Sequence, residues 1–107
     1  MKQGDIIMID FNPTKGHEQA GYRPAVIVSN NVYNKKSKLL LVCPITNTIR
    51  DFPFYVKLEN TQTTGIIMCD QIKAIDGTAR NIKFVEKLPV KLLQEVIDII
   101  QGSIEIL

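Results

Sequence analysis

The chain has 107 residues, 45% hydrophobic and 22% charged, with a formal net charge of +2 at pH 7. Such a length supports a single compact domain over 1–107. The composition excludes a disordered chain, and the near-neutral balance means that any preference for phosphates must come from where the charges sit.

At the N-terminus, "MKQGDIIMIDFNP" carries Asp5 and Asp10 and no long apolar stretch, so no secretory leader is expected. The longest apolar runs fall far short of a membrane span. Residues 4–11 are β-rich and nearly continuously apolar, as in a strand buried on both faces. The turn residues from Asn12 to Gly16 then open a polar, Gly-bounded loop that runs to Gly21. A second strand is expected over 24–30, with Pro24 at its first position. Residues 31–38, "NVYNKKSK", form a basic connection with room for one helical turn.

A third buried strand spans 39–45. A fourth spans 52–59, a fifth 64–75, and a short sixth 81–88. From Pro89 the period changes: Leu93, Val96, Ile97, Ile100 and Ile104 recur at helical spacing, with Pro89 suited to the first helical position and Gly102 to its end. The pattern predicts a mainly β fold, a small, strongly bent antiparallel sheet or barrel with a C-terminal helix over one open side. The wide apolar face of that helix also predicts a homodimer.

Cys43 and Cys69 lie in apolar runs without CxxC spacing, and His17 is the single histidine. Two reduced, buried thiols in a cytoplasmic protein are expected, with neither a disulfide nor a metal site.

Several residues carry possible chemistry, each with a plainer alternative. His17 titrates near neutrality and could exchange protons or meet a phosphate; a lone surface histidine usually does neither. Glu18 beside it is a proton acceptor or a solvated charge. Arg23, pinned by Pro24 at a strand start, offers bidentate donors to a phosphate, or a structural ion pair. Thr46, Asn47 and Thr48 bring hydroxyl and amide groups to a strand end, where they are also ordinary turn residues. Asp70 and Gln71 follow "IIM" directly, and strand alternation would aim one at the core and the other at the rim. Lys35, Lys36, Lys38, Arg50, Lys73, Arg80 and Lys83 supply basic groups, and Tyr22, Tyr33 and Phe52 could stack on bases. Together they describe a basic, hydroxyl- and amide-bearing rim suited to single-stranded nucleic acid.

"GDIIMIDFNPTKGHEQAGYRPAVIVSN", then "PIT", "FPF", "TGIIMCDQIKAID" and "AR", resemble the MazF/PemK family of toxin endoribonucleases from bacterial toxin–antitoxin pairs. The match runs in order from Gly4 to about Arg80. It implies an SH3-like barrel of the CcdB/PemK type, a homodimer that binds single-stranded RNA along its groove, and a cognate antitoxin that blocks the groove. It also implies cleavage without metal or cofactor, by attack of a ribose 2′-OH on its own 3′ phosphate, leaving 2′,3′-cyclic phosphate and 5′-OH ends. By the resemblance, Arg23 and Thr46 are catalytic, Glu18 and Gln19 belong to the loop between the first two strands, and His17 and Asp70 match positions implicated in the PemK-like branch. That branch has an arginine two residues before the aspartate. Here Met68 stands there, which shifts weight to Arg23 and Thr46. Arginine is a poor proton carrier, so Glu18 and His17 are the expected base and acid. RNA contacts are expected from Gln19, Tyr22, Asn47, Thr48, Phe52, Gln71, Lys73 and Arg80, and base selection from loops 12–22, 47–53 and 59–64. Two other functions fit the same barrel: a CcdB-like inhibitor of gyrase without catalysis, and an inactive module that binds RNA or antitoxin.

Overall fold

A computed structural model describes residues 1–10, 22–48, 53–78 and 81–107. In chain order these form β1 (Asp5–Asp10), β2 (Tyr22–Ile27), α1 (Asn31–Ser37), β3 (Leu40–Thr46), β4 (Tyr55–Lys57), β5 (Ile66–Met68), a 3-10 turn (Cys69–Gln71), β6 (Lys73–Ile75), β7 (Ile82–Lys87) and α2 (Val90–Ile104). The strands make one antiparallel sheet in the order β4-β5-β3-β2-β1-β7, with β6 also paired to β3. The mainly β fold with a C-terminal helix is as expected. No described helix is long and apolar enough to cross a membrane.

Both faces of the central strands are buried, which explains their unbroken apolar runs. Alternation divides β1 between two cores. Ile6 packs with Val26, Cys43, Ile67, Leu92 and Val96 on the face covered by α2. Ile7 and Ile9 pack with Ala25, Ile27, Val42 and Ile75 on the other. In α2, Leu92 and Val96 are the buried residues, each worth about 1.5–3 kcal/mol of apolar burial. Ile104, expected on the apolar face, is instead exposed. The helix runs through Gly102, and Pro89 is its N-cap rather than its first residue, its carbonyl accepting from the Leu92 and Leu93 N–H groups at 3.0 Å.

Other boundaries move for identifiable reasons. β2 starts two residues earlier than expected, and Pro24 is its third residue. The Val28 N–H donates to the Leu41 carbonyl of β3, while the Ile27 carbonyl accepts from Gly4 beside β1. Even-numbered positions of β2 therefore face β3, and Pro24 has no N–H to extend that ladder past its last pair, Ala25↔Pro44. The strand ends at Ile27 because Ser29 and Asn30 build the start of α1. Asn30 Oδ1 caps the Tyr33 N–H at 2.8 Å, and the Ser29 hydroxyl bonds Asn34 Oδ1 and accepts from the Leu41 N–H.

The expected fifth strand is broken into β5, the 3-10 turn and β6. Its partner edge on β3 pairs at Leu40–Val42 with β6 and at Ile45–Thr46 with β5. Pro44, lacking an N–H, falls in the gap between them. The expected fourth strand shrinks to Tyr55–Lys57.

Candidate functional site

β2 begins beside the point where β3 ends, so the start of one and the close of the other share a rim. Arg23 and Thr46 each lie two residues beyond the Ala25↔Pro44 pair. By alternation both belong to the face of Ala25, Ile27 and Val42, at the open end of the core opposite α2. Both are half-buried. Tyr22, 48% exposed, pairs with Asp10 at the same rim, and Asn47 and Thr48 continue from Thr46 as exposed residues.

The Thr46 hydroxyl accepts from the Thr48 N–H at 3.2 Å. A hydroxyl has a single proton, and with one lone pair engaged by that N–H the proton remains available to donate. Asn47 Oδ1 accepts from the Thr64 hydroxyl at 2.9 Å, which leaves the amide N–H₂ of this exposed residue as its donor group. Gly65, with φ +119°, backs directly onto Thr46: a Cβ there would collide with the Thr46 carbonyl oxygen and stand 3.1 Å from Asn47 Oδ1. The rim thus combines a permanent cation with hydroxyl and amide donors, an arrangement suited to a phosphate. Two surface grooves, of about 560 Å³ beside Lys38 and Ile82 and about 670 Å³ between β4 and α2, are lined by other residues.

The remaining expected residues are distributed differently. Asp70 and Gln71 are both exposed on the 3-10 turn, so alternation does not divide them between core and rim. Asp70 lies on the turn that bridges the β5 and β6 pairings of β3, between Ile45 and Val42. Of these three, Lys73, opposite Val42, is set four residues along β3 from Thr46. Met68 is half-buried in β5, paired with Tyr55. His17, Glu18, Gln19, Phe52 and Arg80 lie outside the described residues. Among the described residues, no cluster of three His, Cys, Asp or Glu side chains could hold a metal ion.

Nothing in the sequence marks Thr64 or Gly65 as neighbours of this rim. Gly65 reads there as the punctuation before an apolar run, and nothing local discloses that it abuts Thr46.

An antiparallel sheet with a half-buried arginine, a hydroxyl and an amide at one strand end defines a small β protein with an anion-directed rim. The chain belongs to the PemK-like, MazF-like toxin family of type II toxin–antitoxin systems, which matches residues 2–104. It is 46% identical over 77 residues to the endoribonuclease toxin MazF of Escherichia coli K12, covering 72% of this chain and 69% of that protein. To the endoribonuclease PemK of Escherichia coli it is 38% identical over 102 residues, covering 91% and 77%. Its structure resembles the MazE–MazF crystal structure (form II) from Deinococcus radiodurans with a TM-score of 0.85, at 29% identity and covering 96% and 94% of the two chains.

Proposed function

We propose that this chain is a toxin endoribonuclease that cleaves single-stranded RNA at short specific sequences without a metal, acts as a cytoplasmic homodimer, and is neutralised by a cognate antitoxin that covers the same surface. Family membership supports the toxin role, and the endoribonuclease relatives support the activity. The observation that carries the chemistry is the shared rim of Arg23 and Thr46 on neighbouring strands.

Transesterification needs removal of the 2′-OH proton, stabilisation of charge on the pentacoordinate phosphorus, and a proton for the departing 5′ oxygen. Arg23 and the Thr46 hydroxyl suit the second task, since both donate without changing protonation state. The exposed amide of Asn47 adds a neutral donor for phosphate or a base edge. The proton-transfer roles fall to Glu18 and His17, whose pKa ranges match acid–base work better than a guanidinium does. Tyr22 is well exposed for stacking on a base.

The test is incubation of the purified protein with a long RNA in EDTA. Discrete fragments with 5′-OH and 2′,3′-cyclic phosphate ends are expected. Arg23→Ala or Thr46→Val should lower kcat/KM by about 10²–10³, the usual loss of one transition-state donor. RNA left intact would overturn the enzyme reading and favour gyrase inhibition or plain binding. Cleavage unchanged by both Glu18→Gln and His17→Ala would remove the acid–base assignment.

A further inference from the structure

In sheet order β4 and β7 are the two ends, and no ladder joins them among the described residues. A side chain does. Glu86 of β7 accepts the Gln62 N–H on Oε1 at 3.1 Å, and the Thr63 N–H and Thr63 hydroxyl on Oε2 at 2.7 and 2.8 Å. Gln62 and Thr63 lie in the loop between β4 and β5, whose base is closed by the Leu58 N–H on the Gly65 carbonyl at 2.9 Å.

A bulge aims Glu86 there. The β1–β7 register changes from Ile7↔Phe84 to Ile6↔Glu86, leaving Val85 as an extra residue. Ile82 packs on the core of Ile7 and Ile9, so simple alternation would send Glu86 to that face as well. The inserted residue instead sets Glu86 opposite Ile6, on the α2 side where Leu58 and the loop lie.

The same loop ends at the rim. One residue after Thr63, Thr64 bonds Asn47 Oδ1, and the next residue, Gly65, backs onto the Thr46 carbonyl. We infer that Glu86 is a positioning residue for RNA cleavage: its carboxylate anchors the β4–β5 loop to the far edge of the sheet, and the loop holds Thr46 and Asn47 in place. This rests on the cleavage reading above. A carboxylate with three donors is a stiff anchor, because charged acceptors make the stronger hydrogen bonds. Removing it leaves two backbone N–H groups and a hydroxyl to find water, and frees the loop to move.

The experiment compares wild type, Glu86→Gln, Glu86→Ala and Thr63→Val, each with its Tm, its kcat and KM on a single-site oligoribonucleotide, and its Asn47 and Thr48 amide resonances. Glu86→Ala is expected to lose at least tenfold in kcat with a smaller change in KM, and Glu86→Gln, which keeps one acceptor oxygen, to recover part of that loss. The Asn47 and Thr48 resonances should move in Glu86→Ala and less in Thr63→Val. A folded Glu86→Ala with wild-type kcat and unmoved resonances overturns the inference, as does a loss confined to Tm. Should Glu86→Ala fail to fold, Glu86→Gln and Thr63→Val decide by the same criteria. Should the wild type cleave no RNA, the cleavage reading fails, and the resonances alone decide whether Glu86 reaches the rim: moved, the link stands; unmoved, it falls.

Discussion

Cys43 and Cys69 are enclosed in the core on the α2 side. Burial, then the neighbouring Cys69 and Asp70, push the Cys43 thiol up to about 12. Burial and Asp70, against opposing backbone hydrogen bonds, push Cys69 up to about 11. Native protein should therefore resist iodoacetamide near neutral pH, since the thiolate is the reactive form. The same shift makes a stability prediction. Above about pH 9 an unfolded thiol has released its proton while the folded one retains it, so the native state binds more protons and stability falls as pH rises. Thermal unfolding should show Tm declining above that pH, with a shallower decline in Cys43→Ala. An alkylated native protein, or a flat profile, would contradict the enclosed position of these thiols. Glu86 shows the opposite balance: burial works to raise its carboxyl, yet hydrogen bonds from Thr63 and Gln62 outweigh this and hold it below the usual carboxylate range.

Among elements, the β4–β5 hairpin carries the greatest structural demand for its size. Its strands pair through only Tyr55↔Met68, Val56↔Ile67 and Lys57↔Ile66, and its loop holds Asn60 at φ +58° and Gly65 at φ +119°. Gly65→Ala would strain the backbone and press on the Thr46 carbonyl together, with little slack because the obstacle is main chain. It should cost upwards of about 1 kcal/mol in chemical denaturation and reduce RNA cleavage more than its loss of folded fraction explains. Full activity in Gly65→Ala would show that the hairpin does not set the geometry of Thr46. Much of the element plan is legible in sequence. Apolar runs mark buried strands, and the period of 3.6 from Pro89 marks α2. The break at 69–71 is not, because its cause is Pro44, more than twenty residues away on the partner strand.

For the whole molecule, the dimer is a claim about surface. Phe84 is 47% and Val90 79% exposed, and Val32, Phe54, Ile72 and Ile104 are also open to solvent on the single chain. Scattered apolar residues are ordinary, but this number on so small a domain fits a protein that covers part of its surface with a second copy. Light scattering should give twice the 12.1 kDa chain mass at micromolar concentration; a single-chain mass would remove the dimer from the proposal. The candidate site divides along the same line as the elements. Arg23 and Thr46 could be nominated from sequence because their residue types and the family motif mark them. Glu86 could not, as a glutamate in a strand looks like any solvated charge until its partners across the fold are known.

By itself, then, the order of residues determined which segments become strands or helix, which faces of them are apolar, and which family motif the chain carries, since these depend on spacing within a few turns of the chain. Tertiary structure alone decided that Arg23 and Thr46 share a rim, that a bulge at Val85 turns Glu86 toward Thr63, and that Gly65 leaves no room for a side chain against Thr46. Those are matters of register between distant strands. A shift of one residue in pairing sends a side chain to the opposite face, and only the packing of the two cores selects the pairing.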